Sequence, residues 1–203
     1  MKREEKNRHS RQKIMDSAFR EFGEKSYGEA SLNTICRDGA ISKGIIYHYF
    51  KDKDALFLAC VRECFNALTV YMKENMTVEG GAIESVLNQY FDARIRFFRE
   101  NPKYLKVFYS AVILPPPHLA ESISAIRKDF DDLNVAVLTG LLENVPLRRD
   151  VSTEEAIEIF RLFQDLVNTR FQMESFYGVD IGEHEKLCSH ILEILLYGVV
   201  ERG

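Results

Sequence analysis

Apolar residues recur every three or four positions along most of the chain, which is the period of an amphipathic α-helix. Glycine, proline and capping residues divide this pattern into about nine predicted helices, and the fold class is therefore predicted to be all-α. The seven longer or better delimited segments lie at about residues 9–25, 53–75, 82–100, 104–114, 118–143, 152–177 and 183–201. Residues 1–8 are polar and are predicted to be frayed.

Residues 31–53 are predicted to contain two short helices joined by a tight turn. Ser31 is a suitable N-cap for the first helix, since its hydroxyl can accept a hydrogen bond from a backbone N–H. Gly39 is expected to end that helix by adopting the left-handed conformation, and Ser42 is expected to cap the second. Two such helices are typical of a helix-turn-helix motif, although a hairpin that only packs a core is an alternative.

The second short helix is predicted to have an anchoring face and an outward face. The predicted anchors are Ile45, Ile46 and Phe50. The predicted outward residues are Lys43, Gly44, Tyr47 and His48. Small, basic and aromatic hydrogen-bonding side chains of this kind suit a helix that lies in a DNA groove.

A set of spaced positions extends over residues 10–57. It runs from Arg11-x-x-Ile14 through Ala18-x-x-x-Phe22, Tyr27 and Ser31 to Ile35, and continues with Ser42-Lys43-Gly44-x-x-Tyr47 and Phe50-x-x-Lys53-x-x-Leu56. At these positions the chain resembles the TetR-type bacterial transcription regulators. The chain departs from the family pattern at Cys36, at Gly39-Ala40-Ile41 and at Tyr49, where the family commonly has histidine. Here the histidine is His48, at a variable position of the family.

This resemblance implies a helix-turn-helix DNA-binding domain over residues 1–53 and an effector-binding and dimerisation domain over residues 54–203. It implies a regulator, expected to be a repressor, that a small hydrophobic or amphipathic effector releases from a palindromic operator on double-stranded DNA. The alternative is a helical small-molecule-binding protein or an enzyme that keeps a vestigial DNA-binding head.

DNA contacts are predicted for both short helices. Lys43, Tyr47, Tyr49 and Lys53 are expected to contact mainly phosphate, with Ser42 both capping its helix and reaching the DNA backbone. Gly44 is expected to allow close approach of the DNA, and His48 to read a base. Contributions from the first helix are expected at Ser31, Thr34 and Arg37.

Arg94 lies at the centre of the apolar arc of the helix predicted at 82–100. Because a guanidinium keeps its charge, its burial has to be compensated by a carboxylate or by several carbonyl oxygens. One interpretation is structural, with Glu174 as the internal partner. The other places Arg94 in an effector cavity against a polar or anionic group of the ligand. The predicted aromatic walls are Tyr90, Phe97, Phe98, Phe108 and Phe171.

The last two predicted helices have unusually broad apolar faces. In the segment 152–177 apolar residues occupy about half of the helix circumference. The segment 183–201 adds Leu187, Ile191, Leu192, Ile194, Leu195 and Val199. Such faces suit a four-helix interface with the same pair from a second chain, and the resemblance also implies a homodimer. A monomer that uses both helices in its own core is the alternative.

Charge is divided unevenly along the chain of 203 residues, whose formal net charge is −4. Residues 1–50 hold ten Lys and Arg against seven Asp and Glu, whereas the remainder holds 17 against 24. A basic head on an acidic body suits a protein that touches phosphate at one end.

No apolar run approaches the length of a membrane span, so no membrane association and a cytoplasmic location are expected. The four cysteines and five histidines show no ligand spacing, so no metal site and no cofactor are expected. No motif pairs a nucleophile with a base, so enzymatic activity is not expected.

Overall fold

The computed structural model of the protein describes residues 2–76, 83–113, 115–143, 146–174 and 181–199. Within these ranges the regular elements are helices, as the all-α prediction requires. They are α1 (Lys2–Glu24), α2 (Leu32–Asp38), α3 (Lys43–Tyr49), α4 (Lys53–Asn75), α5 (Ile83–Glu100), α6 (Pro102–Val112), a short 3-10 helix (Pro117–Leu119), α7 (Ala120–Glu143), α8 (Thr153–Glu174) and α9 (Ile181–Val199).

The chain forms two compact units, and each is composed of two separate segments. The first unit contains Met1–Ala67 and Asn101–Arg127, and the second contains Leu68–Glu100 and Lys128–Gly203. Two of the three divisions fall within α4 and α7, and the third lies between α5 and α6. The functional boundary after residue 53 stays a prediction.

Helix α1 begins at Lys2, so the prediction of a frayed segment over residues 1–8 is wrong. Glu4 and Glu5 lie in its first turn, where negative charge stabilises a helix by interacting favourably with its dipole. The hydroxyl of Tyr49 in α3 also donates a hydrogen bond to the carbonyl oxygen of Asn7, at 3.1 Å. The polar start of α1 is therefore tied to the short helix that follows it by 42 residues.

Helix α6 belongs to the first unit, where it packs on α1. The ring of Tyr104 meets Phe19 edge-on at 5.1 Å, and the ring of Phe108 lies 5.4 Å from Phe65. The Tyr104 hydroxyl donates to Glu63 Oε1 at 3.1 Å. Burial raises the pKa of Tyr104 well above its usual value, and the Glu63 charge raises it further.

Helix α4 is long and apolar enough to cross a membrane, by length and composition alone. The expectation that no apolar run reaches this length is therefore wrong. Half of this apolar stretch is buried inside the protein, and the buried side chains include Leu56, Phe57 and Leu68. Such burial is also typical of a core helix in a folded domain. Asp52 caps this helix, since its Oδ1 accepts from the Ala55 N–H at 2.8 Å.

In the second unit, α9 packs against both α5 and α8. Helix α5 has the predicted division into two faces, with Leu87 and Phe91 buried and Asn88 and Asp92 exposed. Gly80 and Gly81, the predicted break before this helix, lie outside the described residues.

Candidate nucleic-acid interface and internal cavity

Serine caps position the two short helices of the first unit. The Ser31 hydroxyl accepts from the Asn33 N–H at 3.2 Å, and the Ser42 hydroxyl accepts from the Ile45 N–H at 3.4 Å. Both predicted caps are confirmed. Helices α1, α2 and α3 pack against one another and form a three-helix head.

The turn between α2 and α3 has a different conformation from the predicted one. Gly39 is the C-cap residue, but its φ is −84°, and the positive φ of 49° belongs to Ala40. Glycine is required at position 39 because a side chain would not fit there. A Cβ at Gly39 would lie 2.6 Å from Ile41 Cδ1 and 2.7 Å from Ser17 Oγ. Ser17 is buried, so the glycine allows α1 to approach the turn closely.

Helix α3 presents a wide exposed face. Ile46 and Phe50 are buried, as predicted. The four residues that were predicted to face outward, Lys43, Gly44, Tyr47 and His48, are all exposed. Ile45 was predicted as an anchor, but its side chain is 41% exposed. The reason is geometric, because successive residues of a helix point about 100° apart and Ile46 occupies the direction of the core.

Two of the predicted phosphate-contacting residues also make contacts within the chain. The Lys53 ammonium donates to the carbonyl oxygens of Tyr27, at 2.8 Å, and Ala30, at 3.2 Å. The half-buried Tyr49 donates its hydroxyl to Asn7. Both side chains therefore hold the head together, and contact with phosphate would be an additional role.

The three predicted contacts of the first short helix lie in different surroundings. Ser31 and Thr34 are half-buried, whereas Arg37 is exposed. The Ser31 backbone N–H donates to Glu21 Oε1 at 2.9 Å, and the Arg37 guanidinium pairs with Asp38 at 2.9 Å.

A cluster of polar side chains in the first unit was not predicted from the sequence. The Tyr27 hydroxyl donates to Asp54 Oδ1, and His118 Nε2 lies 3.2 Å from Asp54 Oδ2. The hydrogen bond from Tyr27 lowers the pKa of Asp54, and His118 lowers it further. These residues lie far apart in sequence, so no local pattern could have indicated the cluster.

An internal cavity lies within the second unit. Residues of α5, α7, α8 and α9 line it, and its volume is about 70 Å³. Most lining side chains are apolar, among them Leu87, Phe91 and Phe160. An apolar wall with a few polar groups is the usual composition of a small-molecule site.

The polar wall of the cavity is a chain of hydrogen bonds. Arg94 Nη1 donates to the Tyr90 hydroxyl at 3.1 Å, and this hydroxyl donates to Asn134 Oδ1 at 2.8 Å. The guanidinium carbon also lies 5.5 Å from the ring centre of Tyr90 and 5.6 Å from that of Phe130. Arg94 is only 3% exposed, so the predicted burial of a cation on this helix is confirmed.

The cavity has a different wall from the predicted one. Tyr90 and Arg94 line it, but Phe97 and Phe98 are buried outside its lining and Phe108 packs in the core of the first unit. The side chains of Phe171 and Glu174 lie outside the described residues. Asn134 and Gln164 line the cavity and were not predicted. In the sequence, each of the two is marked only as a polar residue among apolar neighbours.

The broad apolar face of α8 divides into two parts. Phe160 and Val167 are buried, whereas Leu162 and Leu166 are 59% and 62% exposed. On α9, Ile194 and Tyr197 are also more than half exposed. These four residues are called the exposed α8–α9 face below.

Among the residues that the structure describes, no group of three or more His, Cys, Asp and Glu side chains could hold a metal ion. Cys60 and Cys64 are buried in α4, and burial raises the pKa of both thiols.

Comparison with known proteins places the head in a defined family. Residues 14–60 match the model of the bacterial regulatory proteins of the tetR family. The chain is 32% identical over 83 residues to the transposon Tn10 TetC protein of Escherichia coli, covering 40% of this chain and 42% of TetC. The matched segment thus spans less than half the length of that relative.

Two comparisons extend over nearly the whole chain. The biofilm operon icaADBC negative transcriptional regulator IcaR of Staphylococcus epidermidis is 22% identical over 188 residues, covering 90% of this chain and 95% of IcaR. The crystal structure of the regulator FadR from Bacillus subtilis in complex with stearoyl-CoA has a TM-score of 0.69 at 18% identity, covering 93% of this chain and 98% of FadR. At this identity the structural likeness concerns the fold. Together with the match of the head, it leads to one conclusion: residues 14–60 of this chain form a domain of the tetR family of bacterial regulatory proteins, and the chain as a whole has the fold of FadR.

Proposed function

We propose that the protein is a cytoplasmic transcription repressor that binds a palindromic DNA operator and is released by a small amphipathic effector. The observation that carries this proposal is the exposed face of α3, where Lys43, Tyr47 and His48 stand outward from the buried Ile46. A short helix held in this way fits the major groove. The role of IcaR as a negative transcriptional regulator supports repression as the outcome.

DNA binding is proposed to divide between the two sides of the exposed α3 face. Lys43 and Tyr47 contact phosphate, which fixes the register of the head without reading sequence. His48 reads a base, because an imidazole can donate or accept in the major groove. Gly44 lies between the phosphate-contacting side and His48. A Cβ built at Gly44 would have no other atom of the chain within 4 Å. The fold therefore leaves this space open, and we assign it to the DNA backbone.

A second copy of the chain is proposed to cover the exposed α8–α9 face. Leu162 and Leu166 are one turn apart on α8, and Ile194 and Tyr197 are neighbours on α9. Clustered apolar side chains of this size are characteristic of protein interfaces. A two-fold dimer also presents two heads, which is what a palindromic operator requires.

The effector is proposed to bind in the cavity of the second unit, with its apolar part among residues such as Leu87 and Phe160. Its polar or anionic group would lie against Arg94, Tyr90 and Asn134, whose hydrogen-bonded chain forms the polar wall. The complex of the Bacillus subtilis FadR with stearoyl-CoA supports this ligand class, since that ligand joins a long apolar chain to an anionic group.

Release from DNA is proposed to be a shift between two dimer states. The effector binds more tightly to the state in which the two heads do not match successive major grooves, and it thereby lowers the population that binds the operator. This mechanism needs only a difference in ligand affinity between the two states.

Selection of bound sequences from random DNA by the purified protein tests the proposal. The expected result is an enriched palindrome whose half-sites lie about one helical turn, or a multiple of it, apart. Affinity should fall steeply with salt, because Lys and Arg contacts release counterions from the phosphates. A Tyr47→Phe variant should bind all enriched sequences more weakly, and His48→Ala should change the preferred base at one position of each half-site. Failure to enrich any palindrome would refute the function.

A further inference from the structure

We propose that Ile45 is a specificity-determining residue whose exposed side chain contacts the C5-methyl group of a thymine in the major groove. This inference rests on the proposed function as a DNA-binding regulator and adds a base contact to it. It starts from the difference between two adjacent isoleucines of α3, since Ile46 is fully buried and Ile45 is 41% exposed.

A single exposed apolar residue is common on protein surfaces and has no meaning by itself. The position of Ile45 is what distinguishes it. Ile45 lies three residues before His48, and residues with this spacing are neighbours on the surface of a helix. Gly44, Tyr47 and His48 on the same helix are all exposed. Ile45 therefore belongs to the face that approaches DNA.

The chemistry of the groove limits what an isoleucine side chain can contact. It has no donor for a phosphate oxygen and none for the acceptor groups on base edges. In the major groove the apolar group on a base edge is the C5-methyl of thymine. Burial of this methyl against Ile45 removes apolar surface of both partners from water, and no hydrogen bond is lost on either side.

The neighbouring side chains also predict where the thymine lies relative to the base that His48 reads. Because His48 and Ile45 are adjacent along the helix surface, the thymine is expected within one or two base pairs of the base that His48 reads. Lys43, on the other side of Gly44, anchors the helix to phosphate and limits its sliding along the groove. The pair Ile45 and His48 then reads a fixed short segment in each half-site.

Replacement of thymine by uracil in the selected operator tests this contact, since deoxyuridine lacks only the C5-methyl. The binding constant is measured for each thymine position with the wild type, Ile45→Ala and Ile45→Val. Val70→Ala is the matched control, because Val70 is a similarly exposed β-branched residue on α4, outside the head. Circular dichroism and the thermal midpoint confirm that each variant folds.

At one thymine of each half-site, deoxyuridine should weaken binding of the wild type by about fourfold per half-site, the effect of burying one methyl group. For Val70→Ala and Ile45→Val, deoxyuridine should weaken binding by the same factor. For Ile45→Ala, binding should be equally strong with thymine and with uracil at this position. The contact is refuted if the wild type is indifferent to uracil at every thymine, or if Ile45→Ala retains the full loss. An absence of any enriched palindrome is a different result, which overturns the proposed function together with this contact.

Discussion

The Lys53 ammonium lies 2.8 Å from the carbonyl oxygen of Tyr27, and its nitrogen stands 4.3 Å from the centre of the Tyr27 ring. The side chain thus joins the start of α4 to the connection between α1 and α2. A lysine that was expected to contact DNA is also part of the internal structure of the head.

Replacement of Lys53 by alanine should reduce both stability and DNA affinity. Two charged hydrogen bonds to carbonyl oxygens are lost, so the free energy of unfolding should fall by about 1–2 kcal/mol in denaturant titrations. The matched variant is Lys43→Ala, because Lys43 is exposed on α3. Lys43→Ala should weaken operator binding and leave the unfolding free energy nearly unchanged. Equal stability of the two variants would contradict the internal role of Lys53.

Two glycine-to-alanine substitutions should have opposite effects on stability. Gly39→Ala places a methyl group against Ser17 and Ile41, and the overpacking should cost about 1–2 kcal/mol. Gly44→Ala adds a methyl group in open space within a helix and should stabilise by roughly 0.5–1 kcal/mol. The same Gly44→Ala change should weaken operator binding, because it fills the space assigned to DNA. Thermal unfolding and binding titrations on one protein batch measure both effects, and unchanged affinity would remove the role of Gly44.

A charge on the exposed α8–α9 face should disrupt assembly. Leu166→Glu buries a carboxylate against the partner's apolar surface in the proposed dimer, so it should give monomers and abolish binding to the palindrome. Val70→Glu is the control, since it adds the same charge at an exposed valine of α4. Light scattering at micromolar concentration distinguishes the two. A monomeric wild type under these conditions would refute the proposed dimer.

The role of Arg94 can be separated from its structural contribution by comparing dodecanoate with its methyl ester as probes. The wild type should bind the carboxylate more tightly than the ester in calorimetric titrations, because the guanidinium attracts the negative charge. Arg94→Met should lose this preference. It should still bind the operator, but dodecanoate should no longer release it. The control is Arg96→Met, on the exposed side of α5. If Arg94 serves only the fold, Arg94→Met should change stability and leave release normal.

The cluster of Tyr27, Asp54 and His118 should make stability depend on pH in the acidic range. The pKa of Asp54 is lowered in the folded protein, so its contribution is present above the unfolded pKa of about 3.9 and is lost as pH falls through the folded value. Asp54→Asn should therefore be less stable than the wild type at pH 7, and the difference should narrow below about pH 4. Urea unfolding midpoints across this range measure it, with Asp92→Asn on the exposed face of α5 as control. A difference that widens in acid would contradict the proposed cause.

The sequence by itself determined the local structure of the head and the helical period of the body. Serine caps, a glycine at the turn and apolar residues at helical spacing are interactions between near neighbours, so Ser31, Ser42 and the buried Ile46 could be predicted from spacing alone. The burial of Arg94 followed from its position on a helical wheel for the same reason.

Tertiary structure decided what depends on the direction in which each helix faces its neighbours. Periodicity could not tell that Ile45 points outward, because α3 is short and its apolar residues span more than one face. Nor could it place α6 with the head, since the packing of Tyr104 on Phe19 joins residues 85 positions apart. The same holds for the cavity, where Asn134 meets Tyr90 across two helices. Such contacts are set by how side chains fill space between helices, and a one-dimensional pattern does not contain that information.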